Sequence, residues 1–349
     1  MTDSKQVAGS VAVEALARAG VRRFYTVPGE SFLEVLDAVE QHPQLRLVST
    51  RHESGAAFMA EADAKLTGIP AVAMATRGVG ASNLAIGVHT ARQDSTPMVV
   101  LLGQVETAFL GREAFQEVDL AAFYAPITKW AATVHRADRV AEFVERGLHV
   151  ATSGRPGPVM LALPEDVGGE HVSVPPETDV AGPSPSPPGP EEVRPVARRL
   201  IEARRPVMIA GEGARDARDE LVALAEAFNV GVYAAFRRQD VFPNEHPLYL
   251  GHLTLGTPPD ILKALEEADL VLVVGCRLDE VTTQSYELPR PGAVVIQVDV
   301  DPGVVGAVVP VERGVVADVR GALSALVAQA PSPGPARPVL CAPYPLPKR

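Results

Sequence analysis

Cysteine is almost absent from this 349-residue chain: Cys276 and Cys341 stand in unrelated contexts, and neither has the spacing of metal ligands. A disulfide framework and a zinc site are therefore not expected, both cysteines read as structural or incidental, and no metal-ligating residues are assigned. Long apolar runs are missing too. Hydrophobic residues make up 46% of the chain, yet no run approaches the roughly 18 consecutive apolar residues of a membrane span. The segment Met1–Ser10 is polar and lacks the apolar core and small-residue cleavage pattern of a secretion signal, so a cytoplasmic location is expected. A basic patch is equally lacking. The formal charge of −11 is spread along the chain, which argues against nucleic acid as a partner.

What is present is an alternation of helical and strand patterns. Val7, Val11, Ala15 and Ala19 repeat at helical spacing, predicting a helix over Lys5–Ala19 with Gly20 as its stop, and Arg23–Val27 then reads as a short buried strand closed by Pro28-Gly29. A helix carrying Phe32, Val35, Leu36 and Val39, a strand Leu45–Ser49 and a third helix from Glu53 to Thr67 follow. Ala71–Ala75, Met98–Leu102 and Pro158–Leu163 are strand-like, with the glycine turn Gly78-Val79-Gly80 after the first and a helix around Arg139–Ser153 before the last. Seven prolines between Pro175 and Pro190 favour an extended connector. Beyond it come helices near 191–203, 219–228 and 260–267, and strands near 207–210, 230–234, 270–274 and 294–298. The predicted fold class is α/β, with two doubly wound parallel-sheet domains: residues 1–170, a linker at 171–190, a Rossmann-like domain at 191–330 and a proline-rich tail at 331–349.

Glu53 follows a buried strand and opens an apolar helix. Partial burial there would raise a carboxyl pKa and suit it to proton transfer, whereas the plainer reading is an acid placed in a first helical turn by the helix dipole. Six ordered segments bear on that choice: Phe24-Tyr25-Thr26-Val27-Pro28-Gly29, Arg51-His52-Glu53 with Ala56 to Ala60, Thr76 to Asn83, Asp94 to Val105, Ala114 to Asp119, and Gly154 to Val159. Together they resemble the pyrimidine-binding domain of the acetolactate synthase, pyruvate oxidase and benzoylformate decarboxylase family of thiamine-diphosphate enzymes. The resemblance implies that Glu53 hydrogen-bonds N1′ of the cofactor's aminopyrimidine and so activates thiamine diphosphate towards a 2-oxo acid, making it the first catalytic candidate. It also implies that Pro28, Gly29 and Asn83 lie near the pyrimidine ring, and that Phe115 and Gln116 line the substrate pocket, with Gln116 the second catalytic candidate. Turn chemistry, packing and capping are the competing readings of these five. His52 is read as a packing or hydrogen-bonding residue.

The second domain resembles the family's central domain through Pro206 to Gly213, His246 to Gly251, Asp269 to Arg277 and Asp299 to Pro302. Some members hold FAD there. Arg155, Gly211, Gly213 and Arg277 fall where such members place flavin contacts, but Gly211-Glu212-Gly213 lacks the third glycine of a dinucleotide fingerprint and Leu278-Asp279-Glu280-Val281 departs from the flavin pattern. FAD is therefore left open. Further departures stand in the first domain: Glu165 replaces the lysine of a usual Pro-Lys-Asp-Val, and Arg77 and Val79 replace a usual serine and proline. A Gly-Asp-Gly segment with its following asparagine, which in the family holds magnesium and the diphosphate, does not occur in this sequence. The expectation is a 2-oxo-acid carboligase or decarboxylase lacking its diphosphate-binding domain, completed within a homo-oligomer or by a separate chain. The alternative is a non-catalytic scaffold or nucleotide-binding remnant of the same family.

Overall fold

A computed structural model of the protein describes residues 5–173, 187–332 and 334. Most of the proline-rich linker and tail, and Cys341, lie outside those residues. The chain divides into two units, Met1–Pro183 and Ser184–Arg349.

The first unit contains strands β1 (Lys5–Val7), β2 (Arg23–Thr26), β3 (Arg46–Ser49), β4 (Ala71–Ala75), β5 (Met98–Gln104), β6 (Trp130–Thr133), β7 (Pro158–Pro164) and β8 (His171–Ser173). Its helices are α1 (Ala8–Arg18), α2 (Leu33–Gln41), α3 (Glu53–Thr67), α4 (Val79–Asp94), α5 (Leu120–Tyr124), α6 (Val140–Thr152) and α7 (Glu165–Gly169). Six strands form one parallel sheet in the order β3-β2-β4-β5-β7-β6. Strands β4, β5 and β7 are buried along their whole length, which is why they read as unbroken apolar runs instead of alternating ones. One face packs against α1, α2 and α6 through Leu16, Val35 and Val144. The other packs against α3, α4 and α5 and is built largely of alanine, including Ala57, Ala60, Ala73, Ala75 and Ala81. Small side chains let α3 and α4 sit close to the sheet and to each other.

Among the elements of this unit that differ from the sequence reading, two are informative. Residues Lys5–Val7, expected to open the first helix, form a strand that pairs antiparallel with β8, Gln6 opposite Val172, and the helix starts at Ala8. Helical periodicity is local, whereas a strand partner from the far end of the unit is invisible to it, and tertiary pairing overrides the propensity. Strand β6 was not expected. It occupies the sheet edge beside β7, where Trp130 stacks on Phe143 and lies under the Arg146 guanidinium at 4.6 Å.

The second unit contains β9 (Pro206–Ala210), β10 (Gly231–Ala234), β11 (Tyr249–His252), β12 (Leu270–Val274), β13 (Val294–Asp299) and β14 (Arg313–Val316), with helices α8 (Pro190–Glu202), α9 (Arg218–Phe228), α10 (Pro259–Glu266) and α11 (Val319–Val327). The sheet is again parallel, in the order β11-β10-β9-β12-β13-β14. Both sheets are doubly wound, so each has a point where successive strands turn to opposite sides: between β2 and β4 in the first unit, and between β9 and β12 in the second. In open parallel sheets the crevice outside the carboxyl ends of those strands is where ligands bind. Among the described residues no helix is long and apolar enough to cross a membrane.

Candidate functional site

The crevice of the first unit is assembled from the turns that leave β2, β3, β4, β5 and β7. Val27-Pro28-Gly29 leaves β2, and Pro28 is exposed. Gly29 has ordinary extended backbone, but a Cβ there would stand 2.9 Å from the Thr76 Cβ, so the turn after β2 touches the turn after β4. The buried Ser31 hydroxyl and that of Thr76, 2.8 Å apart, share a hydrogen bond across the same junction.

Glu53 is the first residue of α3. His52 is its N-cap: the ring Nδ1 accepts a hydrogen bond from the Ser54 N–H at 3.2 Å, which satisfies one orphan donor of the first turn. That accounts for His52 without any proton-transfer role. The Glu53 carboxylate is partly buried, and Asn83 Nδ2 donates to its Oε2 at 3.0 Å from the first turns of α4. Its Oε1 lies 3.3 Å from the position a Cβ would take on Gly80, so that glycine leaves the carboxylate room. One turn further along both helices, Gly87 meets Ala57, where an added Cβ would come within 2.4 Å of the alanine Cβ. Residues i and i+4 share a helix face, so Glu53–Asn83 and Ala57–Gly87 are successive rungs of one seam. At its far end Lys65 pairs with Glu61 at 2.7 Å and with Asp94.

The segment after β5 carries Phe115 and Gln116. Phe115 is 73% exposed. Gln116 has a left-handed backbone, φ 61°, and packs against Gly78, where a Cβ would stand 2.6 Å from the Gln116 carbonyl oxygen. Gly78 itself has φ 55°, so space and backbone both demand glycine. The glycine turn thus has Gln116 against Gly78 and Glu53 against Gly80. The loop is tied down by Glu117, whose carboxylate accepts the backbone N–H groups of Gly111 at 2.6 Å and Ala114 at 2.9 Å. Those hydrogen bonds hold its carboxyl below the usual range.

Arg77 and Glu165, separate departures in the sequence, meet here. Arg77 is buried, with its side chain 11% exposed; its Nη1 pairs with Glu165 at the start of α7, its Nη2 lies 3.5 Å from Glu30, and its Nε donates to the Phe115 carbonyl at 3.1 Å. Next to Glu165, Asp166 accepts the Thr107 N–H at 2.9 Å and the Thr107 hydroxyl. Burial opposes the charge on Asp166, but these hydrogen bonds outweigh it and its carboxyl stays below the usual range. Sequence reasoning passed over Arg77, Glu165 and Glu117 as site components; the signal present was the double departure at 77 and 165.

The remaining candidates lie elsewhere. Arg155, just before β7 and so at the amino end of that strand, donates from Nε to Ser95 Oγ at 2.7 Å and from Nη2 to the Arg92 carbonyl at 2.8 Å, tying the carboxyl end of α4. Gly211 and Gly213, in the second unit, sit at the carboxyl end of β9 with Arg277 beyond β12, at that unit's own switch point. A Cβ on Gly211 would stand 2.4 Å from the Gly275 carbonyl oxygen, and one on Gly213 would stand 2.8 Å from the Gly275 Cα. Close approach of the two strand-end loops is sufficient reason for both glycines. Among the described residues no group of three or more His, Cys, Asp or Glu side chains could hold a metal ion.

Residues 7–123 match the thiamine pyrophosphate enzyme N-terminal TPP binding domain, and residues 193–326 match the central domain of the same enzymes. The chain belongs to the thiamine pyrophosphate enzyme family. It is 33% identical over 324 residues to a probable acetolactate synthase large subunit of Methanocaldococcus jannaschii, covering 90% of this chain and 55% of the relative. It is 34% identical over 316 residues to the acetolactate synthase isozyme 1 large subunit of Escherichia coli, with 90% and 56% covered, and 32% identical over 332 residues to the acetolactate synthase large subunit of Corynebacterium glutamicum, with 94% and 52% covered. The chain spans about half the length of the curated relatives it matches. What it shares with them is the acetolactate synthase-like pair of TPP domains, N-terminal and central.

Proposed function

We propose that this chain is the pyrimidine-recognising part of a thiamine-diphosphate-dependent 2-oxo-acid carboligase or decarboxylase of the acetolactate synthase type. The observation that carries the reading is a partly buried carboxylate, Glu53, at the switch-point crevice, with one oxygen held by Asn83 Nδ2 at 3.0 Å and the other beside Gly80. These residues fit the pyrimidine half of the cofactor. A carboxylate at that place presents one oxygen to a ring nitrogen while the amide fixes its plane, and the missing Gly80 side chain leaves a flat wall.

When bound, thiamine diphosphate supplies the carbon nucleophile and the electron sink for carbon dioxide loss from a 2-oxo acid. The protein's part is orientation and proton control. Glu53 Oε1 holds or releases a proton at the pyrimidine ring nitrogen, Pro28 and Gly29 form the wall on the β2 side, and Asn83 keeps the carboxylate aimed. Gln116 Nε2 donates to a substrate carbonyl or carboxylate oxygen, and Phe115 covers the substrate from solvent. Magnesium and the diphosphate belong, in this reading, to a further segment or a separate chain that docks beside Glu53. The helices carrying Glu53 and Asn83 also expose Phe58, Met59, Val79 and Ile86, which are 42 to 59% accessible, more apolar surface than two helices ordinarily leave to water. FAD is not part of the proposal, because chain packing already accounts for Gly211 and Gly213.

The test has two parts. Titration of this chain with thiamine diphosphate and magnesium is expected to show no tight binding, and saturation at micromolar cofactor without a partner would refute the half-site. In the assembled enzyme, Glu53→Gln is expected to slow pyruvate consumption by ~10²–10⁴-fold, the usual worth of a positioned acid–base group. Unchanged turnover in that variant would refute Glu53 as the activating group.

A further inference from the structure

We infer that Arg77 is a positioning residue: with Glu165 it latches the Phe115–Gln116 loop to the glycine turn, an inference that rests on the proposed function for its meaning in catalysis. Three strand-end segments converge on this one guanidinium. Glu165 begins α7 after β7, Glu30 follows the turn after β2, and Phe115 belongs to the segment after β5, while Arg77 itself lies in the turn after β4. The side chain is buried enough to exclude most water, and its planar fork sends separate N–H groups in separate directions. The two carboxylates neutralise it. Its remaining directed bond, from Nε, goes to a backbone carbonyl, and that carbonyl belongs to Phe115.

The consequence follows from what neighbours that carbonyl. Phe115 is 73% exposed, so little packing of its own holds it, and Gln116 is kept in a left-handed conformation. Such a backbone is costly for a non-glycine residue and persists only where surrounding contacts impose it. Here the impositions are Gly78 below Gln116, the Glu117 carboxylate behind the loop, and Arg77 at the Phe115 carbonyl. Arg77 connects the loop to the rest of the crevice by a charged donor. Serine at 77 could not span these partners, and lysine at 165 would repel the arginine. Arg77 and Glu165 therefore work as one device.

A latch differs from an ordinary ion pair in what lysine can replace. Arg77→Lys keeps the charge for Glu165, but its three N–H donors radiate from one nitrogen and cannot reach both Glu165 and the Phe115 carbonyl, as the separate Nη1 and Nε of arginine do. Hydrogen–deuterium exchange on the full-length chain reads this directly, with no cofactor required. Arg77→Lys is expected to keep the melting temperature near that of the parent while amides 112–118 exchange at least about tenfold faster, the factor implied by loss of a charge-assisted hydrogen bond. Protection in β4 and β5 is expected to stay unchanged. Glu165→Gln, which leaves the Nε bond but loosens the arginine, is expected to give a smaller acceleration over the same amides. Parental exchange at 112–118 in Arg77→Lys overturns the inference, as does acceleration spread evenly over the whole first unit. Should Arg77→Lys fail to fold, the Glu165→Gln protein decides on the same segment: faster exchange confined to 112–118 supports the latch and parental exchange overturns it. Because no cofactor enters, a failure here is distinct from a failure of the Glu53→Gln activity test.

Discussion

The seam between α3 and α4 makes a sharp prediction at Gly87. Replacing a mid-helix glycine by alanine ordinarily stabilises a helix by about 1 kcal/mol. Here the new methyl would lie 2.4 Å from the Ala57 Cβ, 3.1 Å from the Ala57 carbonyl carbon and 3.2 Å from the Phe58 nitrogen. Carbon atoms pack at about 3.5–4.0 Å, so the helices must separate by roughly 1 Å, and overpacking of that kind costs about 1–3 kcal/mol. An approach as close as 2.4 Å calls for the upper part of that range, about 2–3 kcal/mol, so with the helix gain subtracted Gly87→Ala is expected to destabilise the first unit by about 1–2 kcal/mol. Ala57→Gly alone is expected to cost about 2 kcal/mol, from helix propensity and one lost buried methyl. The double variant removes the Cβ–Cβ collision and keeps the helix gain at 87, so its loss should fall short of the sum of the singles by the overpacking it relieves, about 2–3 kcal/mol at most. Urea denaturation followed by tryptophan fluorescence measures this cleanly, because Trp130 is the only tryptophan and lies in the first unit. Asn83 stands one turn before Gly87 on the same face, so the displacement should also lengthen the 3.0 Å bond from Asn83 to Glu53. A Gly87→Ala protein as stable as the parent, or strictly additive singles, would refute the close-seam reasoning.

Other perturbations test neighbouring parts of the structure. Lys65→Met removes the cation that Glu61, 6% exposed, shares with Asp94, and taking the partner from a buried charge is expensive; a loss of roughly 2–4 kcal/mol is expected in urea at neutral pH. Equal stability at neutral pH would show the pair to be solvent-screened. Burial pushes the Cys276 thiol up to about 12 from 9.0. In a Cys341→Ser background it should therefore ignore a thiol reagent at pH 8 while the chain is folded and react fully in denaturant. The sign of the linked pH effect is set by a folded pKa above the unfolded one: the stabilisation is whole below about pH 9 and is lost as pH rises towards 12. A Cys276→Ala protein should show a shallower alkaline decline, with the buried Tyr124 contributing to what remains, and stoichiometric labelling of the folded thiol would contradict the burial.

Much of the scaffold was legible because it is locally encoded. The helix from Glu53 to Thr67 and the strands Ala71–Ala75 and Leu270–Val274 have the limits expected from periodicity, since cap, stop and apolar run lie within each segment. Glu53, Pro28, Gly29 and Asn83 could be nominated because their motifs are contiguous. The pairing of β1 with β8 and the edge position of β6 could not be read, because a short strand is defined by its partner and the partner is distant in sequence. Glycines were legible as turns but not as contacts: that Gly29 makes room for Thr76, Gly78 for Gln116 and Gly87 for Ala57 depends on which segments the sheet brings together.

Arg77 and Glu165 mark the division most clearly. The amino-acid sequence by itself determined two α/β units, the parallel sheets and a carboxylate at a helix start beside a glycine turn. It also showed two residues out of keeping with the family pattern. Only the tertiary structure decided that those two residues are partners, 88 positions apart and joined at one crevice. The physical reason is that a salt bridge has no sequence spacing of its own. It forms where β4 and β7, buried strands of one sheet, deliver their ends to the same edge.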